Sequence, residues 1–290
     1  IPPRVEPKRE TIDTPTPIRQ DAVQAPASRL RLMAANLTSG RSQNYDAGHG
    51  KRILQGAKPD VVMIQEFNYR RNTRTELQRF ADQVMGAPAH YYREAEAQVP
   101  NGIISRYPII AKGEWNDPHA GNRDFAWARI DIPGPTDLWV VSVHLLTSKS
   151  TARTAEAETL VGRLNDVVPA AAYIAIGGDF NTSTKSEACY RTLAQQVVVT
   201  GPYPADGNGN SNTNATRNKD YDGILVDPDL QRLAIPVTVG SRSFPHGLVL
   251  DPRVFRPLSA IAPAAASDGA AAGMQHMAVI RDFRLPASAR

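Results

Sequence analysis

Cysteine is almost absent: Cys189 stands alone among 290 residues, which excludes an internal disulfide and any zinc centre built from several thiolates. Uninterrupted apolar runs of about 18 residues are also missing, so no segment is expected to span a bilayer. Neither charge dominates. Lys and Arg number 33 against 29 Asp and Glu, and a formal charge of +4 is too small to name a polyanionic partner by itself. Apolar residues are plentiful instead, at 41%, enough for the core of one large domain or two small ones, which excludes disorder throughout. The first residue is Ile rather than Met, from which a removed leader and an exported protein, secreted or periplasmic, are expected.

Residues 1–27 hold six of the 23 prolines among Thr, Gln and charged residues without apolar periodicity, and are expected to form a flexible leader or linker. A single domain is expected over 28–286. Its strand candidates are short apolar, β-rich runs at 29–36, 60–65, 102–105, 125–132, 138–144, 173–178, 223–226 and 277–283. Apolar residues recur every three or four positions at 50–57, 75–85 and 154–168, which predicts helices. The links near Pro108 and across 133–135 are too short for a crossover helix and imply antiparallel hairpins. The simplest arrangement is an α+β, four-layer α/β/β/α sandwich of two mixed, mainly antiparallel sheets. Residues 201–219 and 260–273 are expected to be long surface loops.

Several strand candidates end in polar residues. The run 173–181 passes through two glycines and then presents Asp179 and Asn181, a carboxylate and an amide suited to positioning water and holding a phosphoryl oxygen or a metal. A polar turn capping the next helix would look the same. Glu66 closes the second strand and offers hard oxygen ligands, or is a solvated strand end. His144 closes another and can donate a hydrogen bond to a phosphoryl oxygen, or is structural. Asp222 precedes an apolar strand and reads equally as part of a turn, while Asn36 and His276 flank the first and last strands.

In this order the set resembles the endonuclease/exonuclease/phosphatase superfamily, whose best-known members are deoxyribonuclease-I-like and exonuclease-III-like enzymes, over roughly residues 29–284. The segments carrying the resemblance are Asn36, Gln65-Glu66, Asn101 to Pro108, Ser142-Val143-His144-Leu145, Gly178-Asp179-Phe180-Asn181 and Tyr221-Asp222. The C-terminal motif departs from the family's Ser-Asp-His pattern, because 269–275 separate Ser267-Asp268 from His276.

The resemblance implies a phosphoesterase in which Glu66, helped by Asn36, binds magnesium, with manganese or calcium as alternatives. It implies that His144, Asn181 and His276 hold the scissile phosphate and that Asp179 orients or deprotonates water. Asp222, together with Asp268 at the metal site, would support the far side of the site. Glu94 or Glu96 is a candidate partner for His144.

Substrate class rests on other residues. Tyr69, Arg70, Arg71 and Arg74 follow Glu66 closely, and a cluster of arginines with a tyrosine suits a nucleic-acid backbone, with Arg41, Lys51, Arg52 and Lys149 as extensions. A solvated basic helix start is the plain alternative. A weakly sequence-selective nuclease acting on DNA is therefore expected, a monomer with no protein partner indicated. The rivals are a phosphatase or phosphodiesterase for a small metabolite or lipid head group, and an inactive binding protein on the same fold.

Overall fold

The structure, a computed structural model, describes residues 28–39 and 43–287. The leader expected at 1–27, and Arg41, lie outside them. The strands in the first half of the chain are β1 (Ser28–Ala35), β2 (Val61–Ile64), β3 (His90–Arg93), β4 (Gly102–Ser105), β5 (Ile109–Trp115), β6 (Phe125–Ile130) and β7 (Leu138–His144). Those in the second half are β8 (Tyr173–Asp179), β9 (Asp222–Val226), β10 (Ala234–Ile235), β11 (Val237–Val239), β12 (Arg242–Phe244), β13 (Leu248–Leu250) and β14 (Ala278–Leu285). Helices are α1 (His49–Ala57), α2 (Arg74–Met85), α3 (Ser150–Val167), α4 (Ala188–Leu193), α5 (Pro228–Arg232) and α6 (Ala266–Gly269).

One main sheet has seven strands in the order β10-β14-β1-β2-β4-β3, with β13 also paired to β14, the other has the order β5-β6-β7-β8-β9, and β11 and β12 pair as a separate two-stranded sheet. The pairs β1–β2 and β7–β8 are parallel and the remaining pairs antiparallel, so both sheets are mixed. Alternation along β1 explains the layering. Leu30, Leu32 and Ala34 face the second sheet and pack with Ala128, Val140, Ala175 and Ile224, while Met33 and Ala35 face α1 and α2. On the far side α3 and α4 cover Val141, Val143 and Ile176. The result is the four-layer sandwich expected.

Helix α2 begins with a capping box, Thr73 accepting from the Glu76 N–H while Glu76 reaches back to the Thr73 N–H, and stops at Gly86 in the left-handed region. A buried ion pair ties β14 to β1 and α1: Arg31 donates to both Asp282 carboxylate oxygens, at 2.8 and 2.7 Å, and to the Ala57 carbonyl.

Two loop expectations need correcting. The link at 133–135 joins β6 and β7 as an antiparallel hairpin, but the link at Pro108 does not make one. It carries the chain from β4 in one sheet to β5 in the other, through a turn in which the Ser105 hydroxyl bonds both the N–H and the carbonyl of Tyr107. Residues 260–273 are not purely loop, since they hold α6 and the second half of a 3-10 turn at Leu258–Ile261. The segment 201–219 has no helix or strand of its own and is braced by Arg217, whose guanidinium bonds Asp251 and the carbonyls of Asn210 and Asn212.

Candidate active site

Strand register gathers the polar strand ends at one end of the sandwich. His144 pairs with Asp179 across β7 and β8, and Asp179 pairs with Asp222 across β8 and β9. In the other sheet Ala35 pairs with Ile64, which brings Asn36 alongside Gln65 and Glu66. The sheets are pinned together just beneath: Gln65 Nε2 donates to Ser142 Oγ at 2.8 Å, and that hydroxyl donates to the Ile64 carbonyl at 3.0 Å. Gly178 is required here. Its φ is +145°, and a Cβ would lie 2.0 Å from the Val143 carbonyl and 2.6 Å from Gln65 Nε2. His276 is placed by the 201–219 loop, through its bridge to Asn214 and the Met277 N–H bond to the Thr213 carbonyl.

Asp179 is the hub. Its Oδ1 accepts from the Asn181 N–H at 2.8 Å, while Oδ2 accepts from Asn36 Nδ2 at 3.2 Å. His144 Nε2 and His276 Nε2 lie 3.4 and 3.5 Å from that same Oδ2. His276 Nδ1 bonds Asp222 Oδ2 at 3.0 Å. Glu66 accepts from Thr38 Oγ1, from Gln43 Nε2 at 3.0 Å and from Asn36 Nδ2 at 3.5 Å. The Asn181 amide donates to the Leu145 carbonyl at 2.8 Å. Glu66 and Asn181 both hold left-handed backbones, φ +53° and +51°, a conformation costing on the order of 1 kcal/mol that is tolerated where the surroundings dictate side-chain direction.

The two histidines are pushed apart electrostatically. Burial lowers His144 well below the ordinary imidazole range, and the cations Arg123 and His276 lower it further, so it is neutral. Burial also opposes charge on His276, but the carboxylates of Asp222 and Asp179 outweigh it and bring its pKa up to about 10. Asp179 is raised to about 7, chiefly by burial and then by the Asp222 charge, against the pull of His276. The site thus holds a neutral imidazole, an imidazolium and a carboxyl poised near neutrality, a separation suited to acid and base chemistry.

The donor set suits a hard divalent cation. Glu66, Asp179 and Asp222 are buried carboxylates faced by one imidazolium, and the Asn36 and Asp222 Oδ1 atoms are buried without a protein partner. Ligand atoms of Asp179, Asp222 and His276 lie within 4.8 Å of one another. Because a protonated His276 donates rather than coordinates, the oxygens of Glu66, Asn36 and Asp179 are the better ligands.

Other residues singled out from the sequence lie elsewhere. Asp268 is absent from the cluster. Its carboxylate is taken by Arg52 Nη2 at 2.5 Å and His49 Nδ1 at 3.1 Å on α1, so Asp222, and not Asp268, is the carboxylate partner of His276. The same pair withdraws Arg52 from any basic patch. Tyr69 is buried and packs on Phe80 with ring centroids 5.0 Å apart, which removes it as a stacking platform, while Arg70 and Lys51 cover its ring. Arg70, Arg71, Arg74 and Lys149 are exposed, with Arg71 3.9 Å from Glu76. Glu94 does not pair with His144: it accepts from the Asn101 N–H at 2.8 Å, and Glu96 has no bond to His144 either.

Residues the sequence did not point to are Thr38 and Gln43, which orient Glu66, and Arg123. Arg123 is buried under β7 and donates to the carbonyls of His144 and Leu145, and nothing in its local sequence marks it.

Glu94 carries a stability prediction. Burial raises its pKa to about 8, above the unfolded value of 4.5. A raised carboxyl contributes stability in full below pH 4.5 and loses it as pH rises through about 8. Glu94→Gln is therefore expected to raise Tm by a few degrees at pH 8.5, roughly 2–4 °C per kcal/mol, with no gain at pH 4.5. Thermal melts of both proteins across that range check it.

A two-sheet sandwich with buried carboxylate, amide and imidazole groups converging at one end defines a metal-dependent phosphoesterase class of site. The family model described as the Endonuclease/Exonuclease/phosphatase family matches residues 45–259, and the chain belongs to that family, whose members are generally divalent-metal-dependent phosphoric ester hydrolases. No curated protein matches it in sequence. Among solved structures it is similar to the endonuclease/exonuclease/phosphatase from Bacteroides vulgatus, with TM-score 0.60 and 15% identity over 89% of this chain and 99% of that one. It is also similar to the family protein from Beutenbergia cavernae, with TM-score 0.58 and 16% identity over 89% and 72%. A truncated TDP2 from Caenorhabditis elegans gives TM-score 0.53 and 15% identity over 88% and 97%.

Proposed function

We propose that the protein hydrolyses phosphodiesters of nucleic acid, DNA foremost, with weak sequence selectivity. The observation that carries the reading is Asp179, whose Oδ1 is fixed by the Asn181 N–H while Oδ2 meets Asn36, His144 and His276 within 3.5 Å. One oxygen sets the orientation and the other is left to work on a proton.

Phosphodiesters resist attack because their anionic oxygens repel a nucleophile, so a catalyst must offset that charge and deliver water in line. Glu66 and Asn36 would hold magnesium, with Asp179 beside them, and the ion when bound supplies neutralisation of the phosphoryl and leaving oxygens. Asp179 Oδ2 accepts the proton of the attacking water. The imidazolium of His276 donates from Nε2 to a phosphoryl oxygen, and Asp222 keeps it charged and oriented through Nδ1. Neutral His144, whose Nε2 lies 3.4 Å from the same Asp179 oxygen, donates to a second phosphoryl oxygen.

Nucleic acid is favoured by the exposed cations that follow Glu66, namely Arg70, Arg71 and Arg74, with Lys51 on the adjacent helix. The sequence carries no feature suited to reading particular bases, which favours weak selectivity. Nicking of supercoiled plasmid in magnesium is the test. Arg70→Ala/Arg74→Ala should raise KM for plasmid about tenfold and flatten its salt dependence by about one unit per lost phosphate contact. Turnover of a small chromogenic diester should be unaffected. Intact plasmid alongside rapid hydrolysis of inositol phosphates or another small phosphoester would replace the nuclease reading with the metabolite one.

A further inference from the structure

Along β14 the residues facing the second sheet are Val279, Arg281, Phe283 and Leu285, and the first, third and fourth are part of the apolar core between the sheets. An arginine interrupts that row. Its guanidinium donates from Nη1 to the Ile224 carbonyl at 3.2 Å and from Nη2 to Gln231 Oε1 at 2.7 Å, and lies 5.2 Å from the centre of the Phe283 ring. Two of five N–H donors are thereby used. No carboxylate among the described residues pairs with it; burial alone acts on its pKa, lowering it to about 10. A half-buried cation without a counter-charge is a ready partner for an anion.

The guanidinium borders a cavity of about 120 Å³ at the side of the sandwich, where β9 edges one sheet and β10 edges the other. Gln231, Thr200, Gly201, His246 and Gly247 also line it. Asp282 contributes to the wall, but its carboxylate is held by Arg31 on the other face of the strand. A water occupies about 30 Å³, so the space admits an oxyanion. Arg281 lies five residues beyond His276 on an extended chain, roughly 15 Å away, and shares no contact with the catalytic cluster.

We propose that this cavity is a second phosphate site, in which Arg281 takes the group through its unused N–H donors and the Gln231 amide and Thr200 hydroxyl complete the cage. The occupant is a phosphate group, supplied either as free inorganic phosphate or as a backbone phosphate of a substrate strand passing the edge of the sandwich. The second source rests on the nuclease reading; the first does not.

The experiment is a calorimetric titration of inorganic phosphate into the full chain in chelator, comparing the parent with Arg281→Met and Arg281→Lys. Met keeps the volume and suits an inward-facing position, so Arg281→Met is expected to fold with an unchanged or higher Tm. The parent should bind one more phosphate than Arg281→Met, with Lys retaining the site at about tenfold weaker affinity, the scale of losing a charge-assisted bidentate bond. A KM for long DNA raised in Arg281→Met, with small-diester turnover intact, identifies the strand as the source; an unchanged KM beside the lost phosphate identifies free phosphate. Equal phosphate stoichiometry and affinity in all three proteins would overturn the proposal and leave Arg281 as a structural arginine tying β14 to the Ile224 carbonyl and Gln231.

Discussion

Asp179→Asn is expected to lower kcat for phosphodiester hydrolysis by on the order of 10² to 10⁴ while the protein stays folded. Asparagine has the same shape, and its carbonyl oxygen can keep the 2.8 Å bond from the Asn181 N–H. What changes is the other atom: an amide NH2 replaces Oδ2 and faces Asn36 Nδ2, His144 Nε2 and His276 Nε2. It can neither take a proton from water nor offset the imidazolium. Stability should not fall with activity, because burial already raises the Asp179 carboxyl to about 7 and the substitution removes a desolvated charge. Thermal melts alongside steady-state kinetics separate the two effects, and a collapse of Tm together with kcat would indicate a structural role.

The next largest effect concerns Asp222 and His276 as a unit. Asp222→Asn removes the charge that keeps His276 an imidazolium, and His276→Gln removes the donor itself. Each single substitution should cost on the order of 10² to 10³ in kcat, the scale for losing one donor to a developing charge. The double variant should cost no more than the worse single one, since Asp222 acts through His276. Multiplicative losses would mean that Asp222 has a separate task, such as holding the metal through its unpartnered Oδ1.

The parts of the fold legible in the sequence are those buried on both faces. β2, β4, β7 and β9 lie inside a sheet or under a helix layer and carry continuous apolar runs, so they stand out from their neighbours. β3 and β5 are edge strands, half exposed, with Arg, Lys and Glu among their residues, and they leave no such mark. The turn at Pro108 reads as a hairpin because the shortness of the link is visible in the sequence, while the passage from one sheet to the other is not.

The candidate site is legible for a related reason. Asn36, Glu66, His144, Asp179, Asp222 and His276 each stand where an apolar strand begins or ends, which marks them in the sequence, and strand register and the 201–219 loop then bring them together. Asp268 misled because Ser267-Asp268 resembles the start of the family's Ser-Asp-His motif, whereas the carboxylate on His276 Nδ1 comes from Asp222, 54 residues earlier. Tyr69 misled because a tyrosine among arginines looks like a contact residue until Phe80 is seen beneath it. Arg123 and Gln43 sit in polar loops, and only the tertiary structure points them at the site.

The most direct test of the central claim is the hydrolysis of a small chromogenic phosphodiester by the parent and Asp179→Asn, each measured in magnesium and in chelator. This assay does not depend on recognition of DNA. Turnover by the parent in magnesium, lost in chelator and lost by at least about 10² in Asp179→Asn, is the predicted result. Turnover that persists in chelator, or that is equal in the two proteins, would contradict it.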